Sequence, residues 1–413
     1  MIINPSKAKG FFVAPPSKSM AHRLLICAAL SDGKSVINNV AFSEDIKATL
    51  ECIKQLGASF TVKDNQVTVT GNPEFLFSDS GDEKIYNCNE SGSTLRFFIP
   101  LSMLNNRKST FTGSKVLMSR PLSVYEEICR KQKIDFNRTK DGIEICGKLK
   151  PGTFEIRGNI SSQFITGLLF ALPLLEKDSE LILTESIESR SYIDLTLEAQ
   201  KQFGIKIQWK NDNTLFIQGN QSYNCYEVTV EGDYSNAAFF EALNILRGNV
   251  QIKGLNKQSL QGDKVCFDYF QEIKNGFTSI DISDCPDLGP VLFIVAACFK
   301  GAEFTGTGRL KIKESDRGRV MCNELSKFGV KSLQEENRIV IYESQLKKPE
   351  KTVDGHNDHR VVMSLAVLMT ITGGRLEGAG AVKKSFPDFF RRLKELSIDF
   401  KFEAEGESDG LDN

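Results

Sequence analysis

The sequence predicts an α/β protein of two similar domains, each made of three copies of one unit. Three observations carry that prediction. One pattern recurs along the chain: an amphipathic helix end, a glycine, a strand, a polar turn and a second strand. Six other segments are apolar nearly all round, as buried helices are. The chain has 413 residues, 40% hydrophobic and 25% charged, enough for two substantial cores.

The pattern first appears as segment 50–56 ending at Gly57, followed by Phe60-Thr61-Val62 and Val67-Thr68-Val69. It returns at Lys133, with Ile134-Asp135-Phe136 and Ile143-Glu144-Ile145. Further copies centre on Gly204, Gly276, Gly329 and Ser397, so six units of about 69 residues fill the chain. Glycine at a helix end fits the left-handed position that stops a helix. Lys133 and Ser397 depart from it, and those two helices are expected to stop differently.

The apolar segments are 24–30, 95–104, 164–175, 237–246, 291–299 and 361–371, one per unit. One buried helix, one amphipathic helix and several strands per unit suggest three units wrapped around three inner helices, twice. The third and fourth units meet at Val230-Glu231-Gly232-Asp233, read as a crossover. The expected domains are 15–232 and 1–14 plus 233–413.

What precedes each apolar segment is polar. Pro16-Ser17-Lys18-Ser19, with Arg23, precedes the first, and Ser-x-Ser there reads as an N-cap. The second follows Glu90-Ser91-Gly92-Ser93 and holds Arg96; the third follows Ser161-Ser162-Gln163. Asp233-Tyr234-Ser235-Asn236, Asp284-Cys285-Pro286-Asp287 and Asn357-Asp358-His359-Arg360 precede the rest. Helix N-termini favour anions. If the inner helices of each domain run parallel, their starts converge, and two such faces form one anion-binding cleft. Arg96 and Arg360 sit inside apolar runs, where a guanidinium needs an anionic partner or a wet cleft. Three charged loops, around Arg120, at 311–317 and at 382–388, stand beside these starts.

Bulk properties exclude several classes. A net charge of −1 gives no overall basic field for nucleic acid or an anionic membrane. Ten scattered cysteines without a C-x-x-C pair read as reduced core residues of a cytosolic protein, without disulfide or metal use. No signal-peptide core opens the chain, and no apolar run reaches the ~18–20 residues that span a bilayer. There is no P-loop, dinucleotide fingerprint or metal-ligand cluster. The tail after Phe402 is acidic and Gly-rich and is expected to fray.

Pro16-Ser17-Lys18-Ser19 with Arg23, Ser161-Ser162-Gln163-Phe164, Pro286-Asp287, Lys313-Glu314-Ser315-Asp316-Arg317, Asn357-Asp358-His359-Arg360 and Lys384-Ser385-Phe386-Pro387-Asp388 occur in family order over nearly the whole chain. Together they resemble the EPSP synthase (3-phosphoshikimate 1-carboxyvinyltransferase) family. The resemblance implies six βαβαββ units in an inside-out α/β barrel pair that closes on substrates. It implies transfer of the enolpyruvyl group of phosphoenolpyruvate to the 5-hydroxyl of shikimate 3-phosphate, without metal or organic cofactor. Carried over, Ser19, Arg23, Ser161, Ser162, Ser189, Tyr192, Asp287 and Lys313 hold shikimate 3-phosphate, with Gln163 between both ligands. Lys18, Gly92, Arg120, Arg317, Arg360 and Lys384 hold phosphoenolpyruvate. Asp287 is the implied base for the 5-hydroxyl. Glu314 and Lys18 are candidates for proton traffic at C3, with His359 supporting. As an acid, Glu314 needs burial or a ligand charge to raise its pKa.

Two positions depart from the family pattern. Glu90 stands where many members have Asn, and Arg309 where some place an Asn contacting shikimate. Gly92 carries no methyl into the enolpyruvate pocket, so inhibition by glyphosate is expected. The nearest rival is the sister enolpyruvyl transferase acting on UDP-N-acetylglucosamine. It typically shows Lys-Asn, where this chain has Lys18-Ser19, and a mobile-loop Cys near the position of Arg120. A non-catalytic phosphoanion-binding protein on the same scaffold and an RNA-end-processing enzyme are further alternatives. The first conflicts with intact Lys18, Asp287 and Glu314, the second with the missing basic surface. The expected protein is a cytoplasmic monomer.

Overall fold

The computed structural model describes residues 1–403. The expectation of a fraying tail lies outside them, except for Glu403, which pairs with Arg375. Six sheets and two sets of inner helices are seen among the described residues. Five sheets have four strands in one order: first, second, fourth, third. In the second unit, Lys84–Asn87 lies parallel to Ser109–Thr112, and Ile143–Cys146 lies antiparallel between Ser109–Thr112 and Asp135–Arg138. The third and fifth units repeat this order from continuous chain. The first takes its opening strand, Glu227–Thr229, from the end of the third. The sixth is completed by the N-terminal pair Ile2–Ile3, between Gly374–Glu377 and Phe400–Lys401.

The fourth unit corrects the expected repeat. It has only Lys9–Val13 parallel to Asn249–Lys253. No hairpin follows Gly276; the next strand, Thr278–Asp281, opens the fifth sheet. The reason is local. Gly276 is extended (φ 172°), so the chain runs on from helix Cys266–Asn275 without folding back. The edge that a hairpin would cover is capped by Asn244, whose amide bonds both the N–H and the C=O of Val250 at 2.6 and 2.8 Å. Blocking an edge strand in this way prevents stray pairing.

The other five amphipathic helices stop alike, which corrects the expectation for Lys133 and Ser397. Gly57, Gly204 and Gly329 are left-handed, and so are Lys133 (φ 59°) and Ser397 (φ 68°). In each case the next residue donates its N–H to a carbonyl five positions back, as Ile134 does to Cys129 at 2.9 Å and Ile398 to Leu393 at 3.0 Å. That closing bond defines the stop. A side chain tolerates the conformation at a cost of about 1 kcal/mol.

Lys18–Leu30, Gly92–Ser102 and Ser162–Ala171 share one core with residues between Met20 and Val230. Tyr234–Leu246, Gly289–Cys298 and His359–Thr372 share another, with residues 3–14 and 237–398. These helices are buried on nearly every side and the sheets lie outside them. Each begins earlier than its apolar segment, and in all but Gly289–Cys298 polar lead-in residues form the first turn. The chain crosses between the cores twice, side by side: the Ser17 N–H bonds Glu231 O and the Asp233 N–H bonds Pro15 O, both at 2.7 Å. Gly232 is needed there, because a Cβ would lie 2.2 Å from Gly254 O. All ten cysteines are free; seven are buried, but Cys146 and Cys298 are half-buried and Cys225 is exposed, against the expectation of core positions throughout. Among the described residues, no helix is long and apolar enough to cross a membrane.

Candidate active site

The six inner-helix starts line one cleft. Five are capped by side chains. Ser17, Ser91, Ser161, Asp233 and Asp358 accept N–H bonds from Met20, Thr94, Gln163, Asn236 and Arg360. The sixth enters through the turn Pro286–Leu288, which presents Asp287. Convergent helix starts put partial positive charge on the cleft wall. Eight Lys and Arg side chains face five carboxylates there. The sequence-predicted site residues all line the cleft except Lys384, whose ammonium reaches its rim beside Glu90 and 4.0 Å from Glu314.

Asp287 is the hub. Its Oδ1 accepts from Arg317 Nη1 at 2.8 Å and lies 3.2 Å from Lys313 Nζ. Its Oδ2 accepts from Arg360 Nη2 at 3.1 Å and from the Tyr192 hydroxyl at 3.3 Å. Burial alone would raise its pKa, but Arg360, Lys313 and Arg317 outweigh burial and hold it well below the carboxylate range. Lys313 is pulled down to about 8 by burial, against the attraction of Asp287.

Glu314 Oε2 lies 3.0 Å from His359 Nδ1. Burial opposes ionisation of Glu314, but His359 and Arg317 win and hold it low. Burial lowers the His359 pKa in spite of Glu314. This arrangement does not hold Glu314 as an acid. Lys18 Nζ bonds Asp45 Oδ2 at 2.7 Å, while its backbone N–H bonds Asp233 Oδ2 across the crossover at 3.1 Å. Arg23 spends its guanidinium on neutral acceptors: Ser19 O, Tyr192 O and the hydroxyls of Thr196 and Thr166. Gln163 accepts from Arg96 at 2.6 Å and donates to Ser93 at 3.0 Å.

Several functional-looking residues were missed by sequence reasoning. Asp358, fully buried, takes Arg317 in a fork at 2.8 and 3.2 Å and so aims it at Asp287. Glu314, Asp358 and His359 bring donor atoms within 4.8 Å of one another, the spacing of a metal site. Here both Asp358 oxygens are committed to Arg317, and Arg317 supplies the positive charge. Asp263 is bonded by the Ser235 hydroxyl and pushed up to about 7, first by burial and then by the nearby Asp287 charge. Arg96 was singled out as a buried Arg but given no role. It has Gln163, a backbone carbonyl and the Phe164 ring, and no carboxylate within 4.0 Å among the described residues. A buried Arg beside a helix start was the signal available for it; Asp263 carries no local signal.

Known proteins resemble this chain in sequence and in fold. The sequence model of the family described as EPSP synthase (3-phosphoshikimate 1-carboxyvinyltransferase) matches residues 3–393. Relatives named 3-phosphoshikimate 1-carboxyvinyltransferase include one from Clostridium perfringens, 44% identical over 96% of this chain and 98% of its own. Another, from Clostridium beijerinckii, is 43% identical over 95% and 96%. A solved EPSP synthase from Acinetobacter baumannii shares the fold, with a TM-score of 0.77 at 21% identity over 96% of this chain and 97% of its own. Over nearly its whole length, this chain belongs to the EPSP synthase (3-phosphoshikimate 1-carboxyvinyltransferase) family.

Proposed function

We propose that the chain transfers the enolpyruvyl group of phosphoenolpyruvate to the 5-hydroxyl of shikimate 3-phosphate, releasing phosphate. The observation that carries the reading is Asp287, ionised at the cleft centre among Lys313, Arg317 and Arg360. Two substrates bearing phosphates and carboxylates fit a cleft with excess cations, and Arg offers forked bonds to both groups. When substrate anions draw Arg360 and Lys313 away, Asp287 loses the charges that hold it acidic and becomes a better base.

In this reading Asp287 takes the 5-hydroxyl proton as that oxygen bonds C2, and C3 gains a proton. The tetrahedral adduct then loses a proton from C3 as the C2–O bond to phosphate breaks. Lys18, bonded to Asp45, is the favoured C3 donor, because Glu314 is held ionised. Ser19, Arg23, Ser161, Ser162, Ser189 and Tyr192 hold shikimate 3-phosphate with Lys313. Gly92, Arg120, Arg317, Arg360 and Lys384 hold phosphoenolpyruvate, and Gln163 lies between. Segments 15–232 and 1–14 plus 233–413 act as two bodies closing on these ligands, in a cytoplasmic monomer without nucleic-acid or membrane partner.

Phosphorus NMR of the protein with both substrates tests the reading. Inorganic phosphate and an enolpyruvyl ether of shikimate 3-phosphate are expected, and none when UDP-N-acetylglucosamine replaces shikimate 3-phosphate. Turnover with the nucleotide sugar would overturn it.

A further inference from the structure

Arg309 is a buried cation whose nearest carboxylate, Glu188, is in ion-pair range but too far for a hydrogen bond. It lies in the turn Gly308–Ile312, on the far side of the crossover from Ser189, and is 7% exposed. Its Nη1 donates to the Ser189 hydroxyl at 2.5 Å. Its Nε has no hydrogen-bond partner among the described residues, and the nearest carboxylate oxygen, Glu188 Oε2, is 3.8 Å away and itself unpaired. A buried guanidinium left in this condition is costly unless an anion reaches it.

Its surroundings suit a phosphate more than a carboxylate. Ser161, Ser162 and Ser189 bring hydroxyls into the same cleft, and Ser161 and Ser162 stand at a helix N-terminus. The Glu188 N–H bonds Gly158 O, which ties the Ser189 loop to the loop leading into Ser161. Ser189 Oγ also donates to Ser283 O, so two groups of the opposite wall, Arg309 and Ser283, fix its position. Hydroxyls, a helix start and a guanidinium together match the several acceptor oxygens of a phosphate. Of the other shikimate-side cations, Arg23 is taken up by four neutral acceptors, and Lys313 is shared with Asp287.

We infer that Arg309 reads the 3-phosphate of the acceptor substrate, reaching across the cleft to share that phosphate with Ser161, Ser162 and Ser189. The inference rests on the enolpyruvyl-transfer reading of this cleft. It makes Arg309, where some family members have Asn, a specificity residue that separates shikimate 3-phosphate from shikimate.

Calorimetric titration with each of the two ligands tests this, using wild type, Arg309→Gln and Arg309→Lys. Arg309→Gln is expected to weaken shikimate 3-phosphate binding by roughly 10- to 100-fold, the range for a charge-assisted bond. Shikimate binding and the KM for phosphoenolpyruvate should stay within about threefold. Arg309→Lys should recover part of the loss, since an ammonium keeps the charge without the fork. Because Glu188 is then left alone, the pair Glu188→Gln with Arg309→Gln serves as the folded control, checked by its melting temperature. Unchanged shikimate 3-phosphate binding in a folded Arg309→Gln protein would overturn the inference. Equal loss of both ligands would also do so, by showing that Arg309 only supports Ser189. Failure of wild type to bind shikimate 3-phosphate at all would instead sink the enolpyruvyl-transfer reading.

Discussion

Lys313 is the cleft cation poised to titrate near working pH. Burial pulls it down to about 8, so its charge is lost as pH rises through that value. Bound substrate anions favour the charged form. Binding should therefore take up protons near pH 8, and affinity should fall above it, by up to tenfold per pH unit. Calorimetry of shikimate 3-phosphate binding in two buffers of different ionisation enthalpy reads that uptake; buffer-independent heats would contradict it. Glu90 is a second residue to test, since its carboxylate pairs with Lys384, which this reading assigns to phosphoenolpyruvate. Glu90→Gln should lower the KM for phosphoenolpyruvate by about 3- to 10-fold, the ~1 kcal/mol of a partly exposed pair, with kcat little changed. At Gly92 a methyl would lie 2.6 Å from Arg120 Nη1. Gly92→Ala should raise the KM for phosphoenolpyruvate by roughly tenfold and blunt inhibition by glyphosate, which is expected to inhibit the wild type. Wild-type activity undiminished in millimolar glyphosate would remove that expectation. Most cleft residues were legible because short motifs carry them next to helix starts. Asp358, Asp263 and the commitments of Arg23 were not, because their partners lie elsewhere in the sequence and only folding brings them together.

At the scale of the element, the helix stops separate what pattern can and cannot convey. Glycine marks three of the five left-handed stops, but the closing bond is made equally by Lys133 and Ser397. Lys133→Gly should therefore stabilise the protein by about 1 kcal/mol in urea unfolding, as relief of the left-handed side chain. Gly276→Ala should be near neutral, because that glycine is extended and a Cβ there meets nothing within 4 Å. Equal large losses in both variants would show that the stops had been misassigned. The inner helices were legible from their apolar sequence. The missing hairpin of the fourth unit was not, since a glycine after a helix looks the same in sequence whether it is left-handed or extended. The N-terminal strands that complete the fourth and sixth sheets were equally hidden, their partners being about 240 to 400 residues away.

Across the whole molecule, the helix starts of both cores meet in one cleft, and several bonds cross it. Tyr192 reaches Asp287, Arg309 reaches Ser189, and Lys384 reaches Glu90. Each of these contacts includes a charged group, so ionic strength and substrate anions should act on them. The central claim is that this charged hub performs enolpyruvyl transfer with Asp287 as the base. Phosphate release from phosphoenolpyruvate, measured with and without shikimate 3-phosphate in wild type and Asp287→Asn, tests it most directly. The account predicts release only with both substrates, and a fall of about 10²- to 10⁴-fold in the variant, with shikimate 3-phosphate still bound. Release without shikimate 3-phosphate, or an Asp287→Asn protein as fast as wild type, would contradict it.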